Sequence, residues 1–99
     1  MFKLVKNKVP EELKANGEIC DYATINTKEL FMAYVRATLA DSLNEYFETD
    51  NLENLVDVKI LLDTLIKEIG QEEFDKVYTD TIHAHGDYSD KVILFTPDK

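Results

Sequence analysis

Apolar residues recur at helical spacing in three blocks, and the gaps between the blocks carry the residues that start and stop helices. From Thr27 to about Glu48, Leu30, Phe31, Tyr34, Val35, Thr38, Leu39, Leu43, Tyr46 and Phe47 keep that period for about six turns. Asn26 followed by Glu29 has the form of a capping box and places the helix start near Thr27. After a short polar break, Asp50 followed by Glu53 repeats the capping signal. Leu52, Leu55, Val56, Val58, Leu61, Leu62, Leu65, Ile66 and Ile69 then carry a second helix that Gly70 ends. A break this short makes the two helices antiparallel, a helical hairpin. Gln71 to about His83 predicts a third long helix, with Phe74, Val77, Tyr78 and Ile82 on one side.

The flanks are less periodic. Pro10 suits the first turn of a helix, Glu11 and Glu12 favour its positive end and Gly17 stops it, so Pro10 to Asn16 is expected to form one or two turns. Glu18 to Ile25 lacks helical period and is expected to be an irregular or extended link. His85-Gly86-Asp87-Tyr88 is expected to be a turn, and Lys91 to Phe95 a short strand or extended tail closed by Pro97. A lone strand needs a partner, and Phe2 to Val5 is the other extended candidate, so the two termini are expected to lie side by side.

Composition narrows the class. Residues 1–99 form a single domain with room for one modest core, and 44% hydrophobic with 31% charged residues are globular values. A net charge of −9 argues against a nucleic-acid backbone or an anionic membrane as a direct partner, since both would be repelled. The lone Cys20 cannot form an internal disulfide, no secretory leader pattern opens the chain, and no apolar run approaches the ~20 residues of a membrane span. A soluble protein of the reducing cytoplasm is the expectation.

Two acids on the hairpin suggest chemistry. Ser42 and Glu45 share a face at a spacing of three, as do Asn54 and Asp57, so four side chains can converge between antiparallel helices. Facing carboxylates hold hard divalent cations such as magnesium, and a nucleotide phosphate would complete the shell. The alternative is that Glu45 and Asp57 are ordinary surface charges; the flanking Val56 and Val58 weigh against that for Asp57. Lys3, Lys6 and Lys8 form a basic patch near the N-terminus, read either as phosphate ligands or as a solvated arm. His83 and His85 read more simply as solvated imidazoles at a helix end than as a metal pair, and Cys20 as a half-buried small residue rather than a nucleophile.

The segments Lys3-Leu4-Val5-Lys6-Asn7-Lys8-Val9-Pro10-Glu11, Asp41 to Asp57, and His85-Gly86-Asp87-Tyr88 with Lys91-Val92-Ile93-Leu94 together resemble a family. They are similar, in order, to the K-L-V-R-D-K-I-P-E opening, the E-E-V-E-E-F and N-L-E-E-L-A-D-V helices, and the R-G-G-F and K-R-I-V-L ending of MazG-like, phosphoribosyl-ATP-pyrophosphohydrolase-like proteins. The resemblance implies an all-α helical bundle built on the hairpin, and an enzyme that cuts nucleoside triphosphates to monophosphate and pyrophosphate with magnesium. It implies metal ligands at Ser42, Glu45, Asn54 and Asp57. Two of those four positions are neutral here, which weakens a hard-cation site. Asp41 and Glu53 lie one residue off, about 100° around the helix, and cannot simply substitute; in the enzyme reading Asp41 is expected to assist Glu45 and Asp57. Lys6, Lys8 and Lys91 are the expected phosphate ligands if the enzyme reading holds. Lys6 replaces the family's arginine and loses its bidentate grip, while Asn7, His85 and Asp87 depart from the pattern as well.

Two expectations follow. One is a pyrophosphohydrolase with a reduced magnesium site. The other is a catalytically silent relative that binds a nucleotide or another protein. In either case the long hairpin exposes enough apolar surface to predict a homodimer.

Overall fold

The structure is a computed structural model that describes residues 3–95, and those residues are all-α. Four helices follow in order: α1 (Val9–Ala15), α2 (Lys28–Thr49), α3 (Leu52–Ile69) and α4 (Gln71–His85). The two long helices of the expected hairpin, α2 and α3, pack against each other.

Helix α2 starts where Thr27, in extended backbone, accepts a hydrogen bond on Oγ1 from the Leu30 N–H. The cap is therefore Thr27 rather than the expected Asn26. The helix presents Phe31, Val35, Thr38, Leu39, Ser42, Leu43 and Tyr46 toward its partner, spaced by three and four, and Val35 is fully buried. The turn needs two residues. Asp50 takes a left-handed conformation (φ 55°) and closes α2 through its N–H to the Tyr46 carbonyl, while Asn51 caps α3 by accepting from the Glu53 N–H. The expected Asp50 cap thus falls one residue on, because Asp50 is spent on ending the preceding helix. Helix α3 turns Val58 into the seam, with Asn54, Asp57, Leu61 and Leu65 half-buried beside it.

Helix α1 begins at Val9 with Pro10 in its first turn, and ends in a Schellman arrangement: the Glu18 N–H reaches the Leu13 carbonyl at 3.0 Å and Gly17 takes φ 82°. Residues 18–27 form an irregular link that includes the expected Glu18 to Ile25. Helix α4 follows α3 after Gly70 alone and runs two residues past the expected end, so His83 and His85 both sit in its last turn. Among the described residues the backbone of α4 approaches no helix other than α3.

Residues 91–95 are non-helical and form no strand, and neither do residues 3–6, so the expected terminal pairing is not made among the described residues. Phe2 and Pro97 lie outside them. The hydrophobic run Val92-Ile93-Leu94-Phe95 is instead exposed, with Phe95 at 92%. Among the described residues no helix is long and apolar enough to cross a membrane.

Candidate metal and phosphate site

The expected site residues separate into two depths. Counted from the turn, Glu45 and Asp57 stand at similar heights on α2 and α3, about 9 Å along each axis. Glu45 and Asp41 are exposed, whereas Ser42, Asn54 and Asp57 are half-buried. The two neutral positions therefore face the seam more closely than the acid that was paired with them.

Asn54 is engaged in the turn. The Thr49 hydroxyl lies 2.9 Å from the Glu45 carbonyl, 3.3 Å from the Asn54 side-chain amide and 3.1 Å from the Asn51 N–H. One hydroxyl proton serves one acceptor, and the Glu45 carbonyl is the closer. An Asn54 amide oriented with its NH2 toward Thr49 satisfies the rest, Thr49 accepting from both Asn54 and Asn51. Thr49 thus holds together the end of α2, the turn and the start of α3. It is a residue that sequence reasoning passed over; its signal was a hydroxyl on the last helical residue before a break.

Asp57 is also engaged. The Lys6 ammonium lies 2.8 Å from Asp57 Oδ1, linking the N-terminal arm to α3 across 51 positions of sequence. Lys6 is placed by a turn in which its carbonyl accepts from the Val9 N–H. The hydrogen bond to Asp57 and then that residue's charge hold the Lys6 pKa above its ordinary 10.5 against an opposing desolvation, with Glu53 and Glu12 adding lesser contributions. The lysine expected to hold a phosphate stands instead among three carboxylates.

The other two expected phosphate ligands are both exposed. Lys8 caps α1 and is exposed. Lys91 is on the exposed tail beyond α4, in left-handed backbone (φ 59°), its N–H reaching the Tyr88 carbonyl at 3.2 Å. Of the expected residues, the structure joins Lys6 and Asp57 directly. Among the described residues no three His, Cys, Asp or Glu side chains gather as a metal cage. The donor set fits magnesium poorly: one carboxylate is bonded to an ammonium, one is exposed, and the neutral Asn54 bonds the turn.

Lys3 and Lys6 border an open groove of about 960 Å³ lined by Leu4, Pro10, Leu13, Ile25, Phe31 and Tyr34. Cys20 is half-buried at its edge, its thiol directed at the Pro10 carbonyl at 3.7 Å. Comparison with family models, with curated proteins and with solved structures finds no match to this chain.

Proposed function

We propose that this chain is a catalytically silent, MazG-like helical module that works as a pair of copies and binds a nucleotide or another protein. The observation that carries this reading is the Lys6–Asp57 bond at 2.8 Å. A tethered ammonium at the hairpin's half-buried carboxylate supplies a positive charge there without a divalent ion. A cation entering that position has to displace it, while the hydrogen bond to Asp57 and that residue's charge favour the protonated Lys6. The groove beside Lys3, apolar with Phe31 and Tyr34 in its wall, supports a nucleotide as the small-molecule form of the ligand.

The half-buried position of Asp57 on the hairpin, together with the resemblance of the chain's segments, supports a second reading. This is hydrolysis of a nucleoside triphosphate to monophosphate and pyrophosphate at a reduced magnesium site. Glu45 and Asp57 would be its ligands, Asp41 would assist, and Lys6, Lys8 and Lys91 would hold the phosphates.

Pyrophosphate release over a panel of nucleoside triphosphates, with magnesium and with manganese, separates the two. The silent reading expects no turnover above buffer, no magnesium binding by calorimetry, and metal binding restored by Ser42→Glu together with Asn54→Glu and Lys6→Ala. Turnover that Asp57→Asn abolishes would establish the enzyme instead.

A further inference from the structure

The chain leaves far more surface open than a folded monomer of its size. Its accessible surface is 9292 Å², whereas a compact 11.4 kDa monomer exposes about 5,800 Å². Its radius of gyration is 18.1 Å, against about 13 Å for a compact domain of this length. The excess surface, about 3,500 Å², is more than the roughly 1,000–2,500 Å² that each copy hides in an obligate pair.

The open apolar surface is ordered. On α3, Leu55, Leu62 and Ile69 recur every seven residues, or two turns, along a flank that α2 leaves uncovered, with exposures of 38%, 39% and 59%. This stripe is about 21 Å long. On α4, Phe74, Val77, Tyr78 and Ile82 share one face, 37–59% exposed, along a helix of about 22 Å. The α4 stripe, about 12 Å from Phe74 to Ile82, fits within the length of the α3 stripe, yet the two stripes of one chain cannot meet. Reversing a helix onto its neighbour takes about 2–5 residues, and only Gly70 separates α3 from α4.

We infer that a second copy of this chain covers both stripes by exchange: α4 of each copy lies along the Leu55–Leu62–Ile69 flank of the other. The pair closes on a two-fold axis with two identical joints, each made of one copy's α3 and the other's α4. This deepens the reading of the chain as working in pairs. A pair joined through another surface keeps that reading and overturns this one.

Sedimentation equilibrium on the full chain, with one substitution on each stripe, tests it. The native protein sediments at twice 11.4 kDa. Leu62→Lys and Val77→Asp each weaken pairing by about 100-fold or more, as a charge at the centre of an interface does. An equimolar mixture of the two recovers a heterodimer at least about 10-fold tighter than either variant alone, because one joint is then native and the other sets Lys against Asp. Where a single variant loses its helix signal, the mixture regains it, so instability of the variants does not hide the result. A native monomer, a pair indifferent to either substitution, or a mixture that associates no better than its components overturns the exchange.

Discussion

The hairpin and α4 are written in the same code and meet different ends. Both carry apolar residues spaced by three and four, yet α2 and α3 bury Val35 and Val58 between them, while among the described residues α4 buries nothing. The connections account for the difference. Asp50 and Asn51 give the chain two residues in which to reverse, one left-handed and one a cap, and Thr49 bonds across them. Gly70 gives it one. Amphipathic periodicity specifies that a face will be covered; loop length decides whether the cover comes from the same chain.

The contrast can be broken from its strongest point. Val35→Asp places an unpaired charge at a position that is 0% exposed and is expected to cost of order 3–5 kcal/mol, unfolding the hairpin in a urea titration. Thr49→Val removes the hydroxyl that serves the Glu45 carbonyl and the Asn51 N–H. The expected loss is about 1 kcal/mol, with amide exchange faster at Asn51 than at mid-helix positions. Lys6→Ala tests the weakest tie. Lys6 is 62% exposed, so solvent screening holds its contribution to below about 0.5 kcal/mol, smaller still in salt.

The sign of that last tie with pH follows from the raised Lys6 pKa. The folded state binds the proton more tightly than the unfolded one. The stabilisation is therefore fully present below 10.5 and lost as pH rises through the folded value above it. Titration of the Lys6 ammonium by nuclear magnetic resonance checks this, and Asp57→Asn should return it toward 10.5. An unchanged titration in that variant would mean that the arm does not rest on α3 in solution.

Much of this architecture was legible in the chain. The long apolar period marked α2 and α3, Gly70 marked the end of one helix, and Pro10 and Gly17 marked the ends of another, because each signal acts within a turn of itself. Cap residues slipped by one at Thr27 and Asn51, where adjacent polar residues compete for the same role. The Lys91 to Phe95 run carried strand propensity, but a strand is defined by a partner that no local pattern supplies. The site was legible only as spacing. Nothing in sequence placed Lys6 against Asp57 from 51 positions away, or showed that Asn54 would bond Thr49 and leave Glu45 on the exposed side.

If loop length is what sends α4 to a second copy, lengthening the loop should bring it home. Inserting three flexible residues after Gly70 gives α4 a connection long enough to reverse onto its own α3. The deciding measurement is the sedimentation mass of the native chain beside that of the insertion variant. The account predicts a dimer for the first and a folded, equally helical monomer for the second. A native chain that sediments as a monomer, or an insertion variant that stays as tightly paired as the native protein, would contradict it.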